Sequence, residues 1–132
     1  MMTPMIFVNL PVKDLKTAMD FYQALNFTNN PQFTDDTAAC MMWSENIFVM
    51  LLTHDKWRQF TTRPIPPSGS GEVMLALSLP SRDAVDVMNA TDVNPVQELG
   101  FMYSRAFTDV DGHLWEAIWM DPAAMEGDVP PQ

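Results

Sequence analysis

The sequence predicts an α+β fold made of two βαβββ modules joined by a short linker. Three observations carry this reading. An alternating apolar segment, a helical segment and three more strand-like segments occur in that order twice along the 132 residues. The two series superimpose by pattern. FVNLPVKDLKTAMDF from Phe7 lies over MLALSLPSRDAVDVM from Met74, an offset of 67, and NIFVMLL from Asn46 lies over DGHLWEA from Asp111, an offset of 65. Between the series, 63–71 (RPIPPSGSG) is dense in Pro, Gly and Ser, the composition of a connector.

Taken in order, 5–12 alternates as a strand, with Ile6, Val8, Leu10 and Val12 on one face and Phe7 and Asn9 on the other. Pro11 lacks a backbone donor, so this strand is expected to lie near an edge or to end there. Asp14 caps a helix running to Leu25, with Leu15, Ala18, Met19, Tyr22 and Leu25 at helical spacing, and Asn26 suits the left-handed residue that ends it. Strands are expected at 27–33, 38–43 and 47–53, then a helical turn at 54–60. In the second half, strands are expected at 72–79, 93–99, 101–107 and 113–120, with Ser81 capping a short helix at 81–90. The chain therefore reads as a single domain of two modules (about 5–53 and 72–120), with a linker at about 61–71 and a loose tail at 121–132.

Composition excludes several function classes. A net charge of −10 lacks the basic footprint that a nucleic acid or an anionic membrane surface requires. No apolar run approaches the ~20 residues of a membrane span. The opening MMTPMIFVNLPV has no basic stretch before its apolar run, so no signal peptide is read and a cytoplasmic location is expected. Cys40 is the one cysteine, which rules out an internal disulfide and suits a small core residue better than a nucleophile. Twelve methionines suit a plastic core or an adaptable apolar cavity.

The chemical signal lies in 107–122, FTDVDGHLWEAIWMDP. Asp111-Gly112 marks a turn, and the strand after it places Leu114, Glu116, Ile118 and Met120 on one face. Both faces are largely apolar, so the strand is expected to be covered on both sides and Glu116 to be buried. A buried carboxylate is costly unless paired, metal-bound or protonated. Glu116 is thus either a general base with a raised pKa or a structural carboxylate held by Tyr103, Arg105 or a backbone amide. Arg105 likewise either clamps a substrate carboxylate or forms a structural ion pair. Trp43, Trp57, Trp115 and Trp119 form either an aromatic box or core.

The paired modules, the opening FVNLPVKDL…FYQALNF and the closing FTDVDGHLWE together resemble the vicinal oxygen chelate superfamily, which includes glyoxalases, extradiol dioxygenases and bleomycin-resistance-type proteins. The likeness extends over about 5–122; more narrowly, the chain resembles the glyoxalase-like proteins that carry NPQFTD…NIFVMLL…GFMYSR and close on WMDP, most of them without an assigned reaction. It implies a curved sheet around a cleft that often holds a divalent metal, and a homodimer. It also implies metal ligands on the first and last strands of each module. Carried over by position, these fall on Phe7, Leu51, Met74 and Glu116, of which only Glu116 is a ligand type. One carboxylate cannot replace a three- or four-ligand set, so no metal or other cofactor is expected. His54 and His113 do not converge with Glu116. The expected function is binding of a small organic molecule by Phe7, Asn9, Leu51, Met74, Tyr103 and Arg105. The alternative is a glyoxalase-type lyase or isomerase in which Glu116 is the catalytic base.

Overall fold

The structure, a computed structural model, describes residues 3–127. Two compact units result. Among the described residues, one comprises those up to Ser70 together with Asp109–His113; the other comprises Gly71–Thr108 and those from Leu114. Among the described residues no helix is long and apolar enough to cross a membrane.

The first unit runs β1 (Ile6–Val12), α1 (Leu15–Ala24), β2 (Thr28–Asn30), a 3-10 turn (Pro31–Phe33), β3 (Ala38–Met42), β4 (Ile47–Thr53) and α2 (His54–Phe60). Its sheet has the order β1-β4-β3-β2, with β1 and β4 parallel and the other pairs antiparallel. Asp14 caps α1 by accepting from Thr17 N at 3.0 Å, and Asn26 (φ 76°) ends it. The buried stripe Ala18, Tyr22 and Leu25 packs on β3 and β4, over Ala39, Met41, Val49 and Leu51. The opposite face of the sheet carries Phe7, Asn9, Phe48 and Met50, and Phe7 stacks on its cross-strand partner Phe48 at 4.8 Å. Thr53 caps α2, which packs against β1 and β4.

The turn Asp109–His113 completes this unit. Tyr22 Oη donates to Asp109 Oδ2, while Asp109 Oδ1 accepts from the backbone of Asp111 and His113, each at 2.9 Å. His113 Nε2 donates to the Pro11 carbonyl at 2.7 Å, and Lys13 N donates to Asp111 Oδ1 at 2.8 Å. Gly112 has φ +88°, a conformation that favours glycine, and a Cβ there would also require the Ser68 hydroxyl to turn away.

The second unit runs β5 (Leu75–Ser78), α3 (Arg82–Asp86), β6 (Gln97–Glu98), β7 (Met102–Thr108), β8 (Leu114–Met120) and α4 (Pro122–Gly127). Its sheet, β5-β8-β7-β6, repeats the first one's order, again with the first and last strands parallel. Ser81 caps α3, which packs on β7 and β8. Leu77, Arg105, Phe107, Trp115 and Ala117 share the face beneath it and are buried.

Several expectations change. The predicted strand at 27–33 stops at Asn30, because Pro31 starts a 3-10 turn that the Asn30 side chain caps through Gln32 N. The strand at 72–79 begins only at Leu75, and the one at 93–99 shrinks to Gln97–Glu98, because residues 91–100 are exposed throughout and have no apolar face to bury. The helix read as 81–90 ends at Asp86. Where a loose tail is predicted, Pro122–Gly127 forms α4, with Asp121 Oδ1 accepting from Ala123 N at 2.9 Å; the rest of that tail lies outside the described residues.

Candidate functional site

In the first unit, Phe7 and Asn9 lie on the face that α1 leaves uncovered. Phe7 is 52% exposed. Leu51 does not join them: it is fully buried beneath α1, one residue out of phase. The offset of 65 between the modules causes this error. In the parallel ladders Asn9 pairs with Met50, and Ala76 pairs with Glu116. Glu116 therefore corresponds to Met50 at an offset of 66. A one-residue slip carries a strand position to the opposite face of the sheet.

Where α2 folds against this open face, Asn9, Leu52, Trp57, Phe60 and Thr61 line a depression of about 310 Å³. Its walls are mainly apolar. The Asn9 side chain makes no hydrogen bond among the described residues, and Trp57 Nε1 is buried with no acceptor. A buried donor left in this state costs about 1–3 kcal/mol. Sequence reasoning named Asn9 and missed the Trp57 donor, because α2 reads only as a helical turn after β4. Trp57 and Trp43 lie on opposite faces of the first sheet, and Trp43 packs on Phe27 at 5.1 Å, so the four tryptophans do not form a box. Cys40 is buried, and burial pushes its thiol above the ordinary value.

In the second unit, Glu116 occupies the face opposite α3. It is half-buried, not buried as expected, because Ile118 on the same face is only half-covered and Met120 is exposed. Its cross-strand neighbours are Ala76 and Ala106, which leave space around the carboxylate. Glu116 has no hydrogen bond or ion pair among the described residues. Met74 just precedes β5 and is 53% exposed.

Tyr103 and Arg105 are on the α3 face and cannot hold Glu116, which corrects the structural alternative. Tyr103 Oη donates to Asp86 Oδ1 at 2.5 Å, a contact that raises the phenol's pKa. Arg105 Nε donates to Asp92 Oδ1 at 2.7 Å, and its other nitrogens donate to the carbonyls of Val85, Asp86, Met88 and Ala90. Arg82 pairs with Glu98 and lies over the Tyr103 and Trp119 rings at 5.4 and 4.9 Å. With its donors engaged in this way, Arg105 is not available as a substrate clamp.

The donor set does not fit the metal implied by the resemblance. After the register correction, the four positions hold Phe7, Met50, Met74 and Glu116, which offer one oxygen ligand, no nitrogen and soft thioethers. Among the described residues no three His, Cys, Asp or Glu side chains cluster as ligands. His113 donates to Pro11 and His54 opens α2, both in the first unit.

No family model matches the chain, and no curated protein matches it. Solved structures do. A hypothetical protein from S. aureus matches at 23% identity, over 90% of this chain and 94% of that one, with a TM-score of 0.74. A glyoxalase/bleomycin resistance protein/dioxygenase family enzyme from Burkholderia phytofirmans PsJN matches at 16% identity, over 89% and 99%, with a TM-score of 0.71. Lactoylglutathione lyase from Agrobacterium tumefaciens matches at 14% identity, over 97% and 99%, with a TM-score of 0.66. Likeness at these identities is likeness of fold. The two βαβββ units thus give this chain the α+β fold of the glyoxalase/bleomycin resistance protein/dioxygenase structures.

Proposed function

We propose that the protein binds a small organic molecule on the face of its first sheet that α1 leaves uncovered, without a chelated metal. The depression at α2 is the observation that carries this reading: apolar walls, the Asn9 amide with no partner among the described residues, and a volume at the lower end of the ligand-pocket range. The metal-free part rests on the donor chemistry of Phe7, Met50 and Met74. Adding zinc, nickel, manganese or iron(II) is expected to leave the melting temperature unchanged, since only an ion bound by the folded state raises it. One tightly held ion per chain, with a rise of several degrees, would overturn this part.

A second reading is a glyoxalase-type lyase or isomerase in which Glu116 removes a carbon-bound proton. The unpartnered carboxylate between two alanines favours it, and one of the fold relatives is a lactoylglutathione lyase. A general base contributes about 10²–10⁴-fold. If this reading holds, solvent deuterium enters the α-carbon of an α-hydroxyacyl thioester, and Glu116→Gln slows exchange by about that factor. Exchange at the uncatalysed rate with both proteins would leave binding alone.

A further inference from the structure

The depression at α2 stands within a local reversal of the chain's charge. The protein carries −10 overall, yet residues 54–63 (HDKWRQFTTR) contain three of its seven basic residues and one acidic one. That acid, Asp55, is paired with Arg58 at 3.2 Å. Lys56 and Arg63 have no ion pair among the described residues, although the Lys56 charge reaches the Asp35 carboxylate. Lys56 Nζ lies 5.5 Å from the centroid of the Phe60 ring, and Phe60 is itself a wall of the depression and 68% exposed. A cation therefore stands at the rim of an apolar site whose wall includes the Trp57 side chain.

These features define complementary chemistry. Leu52, Trp57 and Phe60 favour a flat apolar or aromatic body. The Asn9 amide can donate to an oxygen acceptor, and Lys56 at the rim favours negative charge on it. We infer that the ligand of the α2 depression is a small aromatic acid, its ring against Trp57 and Phe60 and its anionic oxygen toward Lys56. This deepens the small-molecule reading and rests on it.

The test uses 2-naphthoate, neutral 2-naphthamide and cationic 2-naphthylmethylammonium as probes. Each is titrated into nitrogen-15-labelled protein while the indole N–H signals are followed, with Trp57→Phe assigning the Trp57 signal. Naphthoate is expected to move that signal and to bind about three- to fivefold tighter than the amide, as suits a half-exposed charge pair, with the ammonium weakest. Lys56→Gln should erase the difference between acid and amide. Equal or tighter binding of the amide at Trp57 would overturn the acid preference and leave small-molecule binding standing. If none of the three moves the Trp57 signal, both the preference and the α2 site fall.

Discussion

Arg105→Met is expected to lower the unfolding free energy by about 3–5 kcal/mol, the usual result of removing one partner from a buried ionic network. Arg105 is 8% exposed and donates to five acceptors, four of them main-chain carbonyls between Val85 and Ala90. These carbonyls belong to the end of α3 and the segment leaving it, where a helix leaves its last acceptors unpaired. With five residues, α3 is far too short to hold itself together. Methionine would fill much of the volume but offer no donor, leaving the Asp86 and Ala90 carbonyls and Asp92 without this partner while Val85 and Met88 keep a backbone donor each. Lysine should recover only part of the loss, because an ammonium lacks the planar fork that spans several carbonyls. Urea unfolding would measure the change, with a melting-temperature drop on the order of 10 °C. Amide exchange across 85–92 should accelerate in parallel. A cost below about 1 kcal/mol would show that desolvating the guanidinium nearly cancels its bonds.

The second large effect concerns Asp109. Tyr22→Phe is expected to cost about 1.5–3 kcal/mol at neutral pH, since it removes the hydroxyl that donates to a buried carboxylate. Its pH dependence has a definite sign. Burial raises the Asp109 pKa, outweighing the lowering by the Tyr22 hydroxyl, His113 and the backbone amides. A carboxyl that holds its proton more tightly when folded stabilises the fold in acid. That contribution is lost as pH climbs from the ordinary value of 3.8 through the raised native one. Against Asp109→Asn, which cannot titrate, wild-type stability should therefore fall across that window and run parallel above it. Urea midpoints of both proteins at a series of pH values would measure this. A wild type that gains on the variant with rising pH would reverse the assignment.

Local signals in the chain predict the local structure well. Asp14, Ser81 and Asn26 mark helix boundaries through short side-chain and backbone geometry, and Ile47–Thr53 and His54–Phe60 lie where periodicity puts them. The failures have physical causes. In 91–100, Val93, Val96 and Leu99 look like a strand, but a strand needs a covered face and these side chains remain in solvent. Leu51 is misplaced because pattern matching tolerates a one-residue slip that a hydrogen-bonded ladder does not. The Arg105 acceptors are backbone atoms, which carry no residue signature. Tyr22 and Asp109 are 87 positions apart, a pairing that topology makes and no local pattern encodes. Of the expected ligand-contacting residues, Phe7 and Asn9 do share an open face, whereas Leu51, Tyr103 and Arg105 lie on helix-covered ones.

Asp109–His113 is built into the first unit although it comes late in the chain. During translation, residues emerge in order at about 5–20 per second, and N-terminal regions ordinarily mature first. Here that order is interrupted. β1 to α2 can assemble early, but the acceptor for the Tyr22 hydroxyl and the donor for the Pro11 carbonyl arrive only after most of the second unit has been synthesised. The first unit therefore waits, unfinished, for a five-residue turn that emerges only after Gly71–Thr108.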